Sequence, residues 1–189
     1  MKQAARWFCA SVLPLVVCAS SRANSDTPRL PFAFAENQGQ ADPAVRFTGT
    51  GAELKAWFDS KGVTVQRGGA TLRTSFVHSS EPTLTATEPL GATANYLRGR
   101  NPANWQTGVP LYSALVYRGV WAGIDIRYHA EQDRLKADYR VAPGASADRI
   151  ALHFDGVAEI AADGSLHVHG RDGEFVESAP ILYQEIDGV

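Results

Sequence analysis

Apolar and polar residues alternate over most of the chain in short runs, each closed by a turn signal. In "GVTVQRGGATLRTSF", Val63 and Val65 precede a Gly68-Gly69 pair, and Leu72, Thr74 and Phe76 then share one face. That spacing predicts a β-hairpin. "LYSALVYRGV" carries aromatic and β-branched residues at strand spacing. "GSLHVHGRDGEFVES" reads as strand, Asp172-Gly173 turn and strand, and "ADGS" at 162–165 supplies another Asp-Gly turn. No segment sustains a 3.6-residue apolar period with caps. "DPAVRF" is too short for a helix and "GASADRI" makes at most one turn. Many short strands separated by turn chemistry indicate an all-β fold, an antiparallel β-sandwich or barrel-like module.

One strand pair can be read to its register. In "GIDIRYHAEQDRLKADYRV", Ile124, Ile126 and Tyr128 alternate with Asp125, Arg127 and His129, while Leu135, Ala137, Tyr139 and Val141 alternate with Lys136, Asp138 and Arg140. With both apolar sets on one face, only every second register is allowed. Placing Tyr128 opposite Leu135 would set Asp125 against Asp138 and Arg127 against Lys136. A shift of two sets Asp125 against Arg140 and Arg127 against Asp138, gaining roughly 0.2–1 kcal/mol per pair. The second register is expected, with a loop near residues 130–135. It makes these charges a structural ladder on a solvated sheet face.

The first 23 residues break this pattern. Lys2 and Arg6 precede the apolar stretch "WFCASVLPLVVCA", and Ser21 and Ala23 supply small residues before Asn24. This is the form of an export signal. The apolar stretch is too short to span a bilayer and contains Pro14, so no membrane span is expected after signal removal. A lipid anchor at Cys18 is the weaker reading, because Val17 stands where a small residue is wanted. Residues 24–30 form a polar linker and 31–189 the β module. The expected location is periplasmic, extracellular or cell-surface.

Export changes the bookkeeping. Both cysteines, Cys9 and Cys18, lie in the signal, so the mature chain has no disulfide or thiolate metal site. Without Lys2, Arg6 and Arg22, 15 basic residues face 20 acidic ones, a net charge near −5. No basic patch invites nucleic acid.

Candidate chemistry is sparse. His167 and His169, spaced i, i+2 on a strand, share a face and could bind a metal with His153 or an acid, yet two ligands do not complete a site. The acids Asp125, Glu131, Asp133 and Asp155 form no marked pair. No GxSxG elbow and no DxDxDG calcium loop is present. No catalytic residue, metal site or cofactor is assigned. Among the aromatics, Trp57, Tyr96, Tyr117, Trp121, Tyr128 and Tyr139 are expected mostly in the core. Exposed Trp105 and Tyr112 would be the platform of a carbohydrate-binding module. Asn37 and Gln38, in "FAENQGQADPAVRF", are the remaining binding candidates. That stretch reads chiefly as the entry to the fold, with Phe32, Phe34 and Phe47 as anchors, Gly39 at positive φ, a turn at Asp42-Pro43, and Asn37, Gln38 and Gln40 satisfying backbone groups.

Three stretches, "LPFAFAENQGQADPAVRFTGTG", "ANYLRGRNPANWQTGVPLYSALVYRGVWAGIDIRYH" and "LKADYRVAPGASADRIALHFDGV" with "PILYQEIDGV", occur in one order. They fit "ENQGQ", "NYxxGxxPxxWxTxVPxYxxVxYxxVxxGIDxxY" (with Leu115 in place of one Val) and "DYxVAPGA". The chain resembles the N-terminal module of bacterial secreted proteins that carry SBBP repeats, a β-propeller type, over residues 30–189. The resemblance implies a domain of unknown function that precedes propeller repeats in its relatives, whereas this sequence stops at Val189. It brings no catalytic residues. The leading expectation is a non-catalytic module for assembly or adhesion, whose partner is a protein or glycan at the cell surface. A carbohydrate-binding module and a metal-dependent domain around His167 and His169 are the alternatives.

Overall fold

The computed structural model describes residues 6–11, 31–131, 134–170 and 172–185. Short antiparallel strands dominate, with two single-turn 3-10 segments at Pro102–Asn104 and Ala147–Arg149. The strands are β1 (Arg6–Ser11), β2 (Ala33–Glu36), β3 (Phe47–Thr50), β4 (Leu54–Asp59), β5 (Gly62–Arg67), β6 (Ala70–Phe76) and β7 (Thr83–Tyr96). There follow β8 (Gln106–Trp121), β9 (Ile124–Glu131), β10 (Arg134–Val141), β11 (Leu152–Phe154), β12 (Val157–Ile160), β13 (Leu166–Gly170), β14 (Gly173–Glu177) and β15 (Ile181–Glu185). The main sheet runs β11-β6-β5-β4-β3-β2-β8-β9-β10-β1-β15, with β7 added on β8, and β12-β13-β14 form a small second sheet. The architecture is all-β.

The main sheet curls so that its inner face meets itself. Phe58 on β4 packs edge-on against Phe34 and Tyr128, and Phe76 on β6 against Tyr117 and Trp121. Such T-shaped contacts add roughly 0.5–1.5 kcal/mol each beyond area burial. The small sheet contributes Val168 and Phe175 to the same core. Tyr117 Oη lies 2.7 Å from the Asp59 carbonyl and 2.9 Å from that of Gly62, tying the β4–β5 turn to β8. Arg73 grips the Asp59 carboxylate with both terminal nitrogens, at 2.6 and 2.9 Å. Burial pushes Asp59 up, but the hydrogen bonds from Arg73 and the Lys61 amide hold its pKa below the ordinary value of 3.8. Burial drives the Tyr117 and Tyr128 hydroxyls up.

The readable hairpins form. Val65 faces Leu72 across Gly68-Gly69. In the charged pair, Arg127 lies opposite Asp138 and Asp125 opposite Arg140, while Tyr128 faces Ala137. The strands run on to Glu131 and restart at Arg134, a tighter connection than 130–135. On the small sheet Gly170 pairs with Gly173, so Gly173 belongs to its strand and not to the turn.

Strand β1 falls within the stretch that reads as an export signal. It pairs antiparallel with β10, Trp7 opposite Val141, and with β15, Arg6 opposite Glu185. The rest of residues 1–30 lies outside the described residues. No described helix is long and apolar enough to cross a membrane.

Candidate functional site

Three places deserve comparison: the entry loop with the long β7–β8 hairpin, the polar cluster on the small sheet, and the apolar edge beside it. The entry loop is built by its own amides. Asn37 Nδ2 donates to the carbonyls of Asp42 (2.9 Å) and Val45 (2.8 Å), and its Oδ1 accepts from the Gly39 and Ala41 amides. Buried Gln40 accepts from the Gln38 amide and donates to the Glu36 carbonyl. Phe32, Phe34 and Phe47 are buried beneath. Asn37 therefore serves the backbone, while the Gln38 side chain is exposed. Gly39 has φ +112°, and a Cβ there would meet Gln106 Nε2 at 3.3 Å. The loop thus abuts the start of β8.

Beyond Tyr112 the β7–β8 hairpin continues as an arm, whose far end at Gln106 lies beside the entry loop. Tyr112 pairs with Phe34 and Leu111 with Ala35, but nearer the tip β8 has only β7 as a strand partner. At its root β7 is irregular between Pro89 and Thr93, and Glu88 adopts φ +60°. Its carboxylate is clamped by Arg127 (2.8 Å) and Ser113 (2.9 Å), which together hold its pKa below the usual range. At the tip the Trp105 indole N–H donates to the Gly99 carbonyl at 3.2 Å, and Asn101 caps the 3-10 turn. Trp105 is exposed at the tip, whereas Tyr112 is half-buried against the core. The two do not form a shared platform. Trp121 is buried with its indole bonded to the Val77 carbonyl, and Trp57 is half-buried.

The polar cluster joins residues that the sequence reading kept apart. His167 Nδ1 lies 2.6 Å from Glu174 Oε1, and its Nε2 lies 3.1 Å from Ser165 Oγ. This is the atom order of a Ser–His–carboxylate relay. Yet Ser165 is buried and its Oγ lies 2.6 Å from Asp163 Oδ1, which also accepts the Ser165 amide. Those two bonds hold the Asp163 carboxyl below its ordinary pKa. The hydroxyl is engaged in the turn and is not presented as a nucleophile. His169 Nε2 reaches Glu174 at only 3.9 Å. Among the described residues no three His, Cys, Asp or Glu are placed to hold a metal ion. The signal for this cluster was the i, i+2 spacing of His167 and His169 on β13, with Ser165 one residue ahead of the strand at the same spacing.

The apolar edge lies where the small sheet meets the end of the main one. An open cleft of about 280 Å³ is lined by Tyr139, Leu152, Phe154, Ile160, Leu166 and Pro180 among others, with Glu177 in its wall. It adjoins a narrower space of about 30 Å³ reaching Val168 and Phe175. Ile160 on the outer strand of the small sheet is 78% exposed. On the terminal strand β15, Ile181, Leu182 and Tyr183 are all exposed, Leu182 by 69%.

Residues 34–189 match the family model described as a domain of unknown function, DUF7948. The chain belongs to that family. The matched span takes in the arm, the polar cluster and β15, and leaves β1 outside it. Neither a curated protein nor a solved structure matches the chain.

Proposed function

We propose that the protein is an exported, non-catalytic assembly module of the bacterial cell surface, of the kind that accompanies SBBP repeats, and that it joins a second copy edge to edge through β15. The observation that carries this reading is the run Ile181-Leu182-Tyr183, exposed on a terminal strand beside an apolar cleft. Successive strand residues point to opposite faces, so this strand exposes apolar area on both. A neighbour that continues the sheet covers both faces and pairs the backbone edge that no other described strand occupies. A second copy supplies such a neighbour, because antiparallel pairing of β15 with itself about a twofold axis brings identical apolar side chains together. Export rests on Lys2 and Arg6, the apolar stretch and the small residues before Asn24. If the first 23 residues are removed, β10 and β15 also lose their β1 partner, which enlarges the available edge.

Sedimentation velocity over a concentration series tests the reading. The wild-type chain is expected to self-associate, and Ile160→Asp combined with Leu182→Asp is expected to leave it monomeric with an unchanged melting temperature. A wild-type chain that stays monomeric throughout contradicts it.

A further inference from the structure

The arm tip combines features that the edge-to-edge reading does not use. Between Tyr96 and Gln106, which face each other as the last pair of the ribbon, the chain makes the tip Leu97–Trp105. Leu97 is 60% exposed and Trp105 37% exposed, and Arg98 and Arg100 are exposed between them. From Pro89 to Tyr112 the arm holds two arginines, Arg98 and Arg100, and no carboxylate, in a chain of net charge −2. The arm is thus locally positive in a protein whose net charge is negative. The tip is also held in shape by the Trp105–Gly99 bond, the Asn101 cap, and the Asn95 side chain accepting from the Gly108 amide at 2.8 Å.

We propose that this tip docks the protein on the surface of an anionic phospholipid bilayer. Arginines are attracted to such a surface, each contributing about fivefold to partitioning. Tryptophan favours the headgroup level, where its apolar ring and polar N–H are both accommodated, and Leu97 reaches the acyl boundary. A nine-residue tip is too small to bury the roughly 800 Å² per partner of an ordinary protein interface. It is large enough to place two apolar side chains into a lipid headgroup layer. The pre-set shape lowers the ordering cost of that contact. The clamp of Glu88 by Arg127 and Ser113 fixes where the arm leaves the wall, and Gln106, the last ribbon residue before the tip, lies beside Gly39 of the entry loop.

The test is co-sedimentation of the full chain with vesicles of phosphatidylcholine, with and without phosphatidylglycerol. Binding is expected only to the anionic vesicles and is expected to weaken as salt rises. Arg98→Glu with Arg100→Glu is expected to lower partitioning at least thirtyfold, and Leu97→Asp to lower it further, with no change in melting temperature. Arg98→Lys with Arg100→Lys is expected to keep most of it. Equal binding to neutral vesicles overturns the proposal, as does binding that survives the Glu pair, which would trace it to the N-terminal apolar stretch. Absence of vesicle binding also overturns it.

Discussion

The inner strands of the curled wall and the outer strands β12 and β15 all belong to antiparallel sheets, yet they end in opposite states. On β4, β5 and β9 each inward residue finds an opposing strand of the same sheet, and Phe58, Val63 and Ile126 are buried. On β12 all four residues are exposed, Ile160 among them, and β15 exposes three apolar residues in a row. Alternation specifies which side chains share a face. It does not specify whether anything covers that face. Closure comes from tertiary packing, and in this molecule it reaches the wall and stops at the β12–β15 edge.

The contrast is broken most severely in the wall. Phe58→Ala removes a ring that contacts both Phe34 and Tyr128 and is expected to cost about 3–5 kcal/mol in chemical denaturation. Ile160→Ala at the open edge is expected to change stability by less than about 0.5 kcal/mol. Similar costs at the two sites would show that the edge is as well packed as the wall.

Smaller effects come from the charges that flank the wall, and their signs follow from their pKa shifts. Half-buried His129 titrates below its ordinary value of 6.5 because burial disfavours its charge, an effect that the nearby Asp138 carboxylate only partly offsets. The unfolded chain then binds the proton more readily, so stability is full above 6.5 and falls as pH drops toward the folded value. Asp59, held below 3.8, contributes stability above that pH which is lost as pH falls through its folded value. Denaturation measured against pH is therefore expected to show a shallow loss beginning near 6.5 and a steeper one below 3.8. Asp59→Asn is expected to cost about 1–3 kcal/mol at neutral pH by leaving Arg73 without its carboxylate, and to remove the lower step. His129→Gln is expected to remove the upper one. An upper step that persists in His129→Gln contradicts the assignment.

Much of the wall was legible in the sequence, because period-two patterning and cross-strand charge decide register locally. Asp125, Arg127, Asp138 and Arg140 admit one favourable alignment, and the strands adopt it. Asn37 and Gln40 were legible as backbone caps, since a polar loop ahead of buried aromatics must satisfy its own amides, whereas Gln38, expected to do the same, turns its side chain to solvent. What could not be read was distant in sequence. Trp105 and Tyr112 are seven residues apart, and only the tertiary course of the arm puts one at a tip and the other against Phe34. The Ser165–His167–Glu174 contact requires the register of β13 on β14, and the openness of the cleft requires the path of β15.

Amide hydrogen exchange of the wild-type chain at low and high protein concentration tests the central contrast most directly. Amides of β4, β5, β8 and β9 are expected to be strongly protected at both concentrations. Those of β15 are expected to exchange quickly when dilute and to gain protection when concentrated, as the open edge acquires a neighbour. Protection of β15 that equals the wall at low concentration, or that never rises with concentration, would contradict the account.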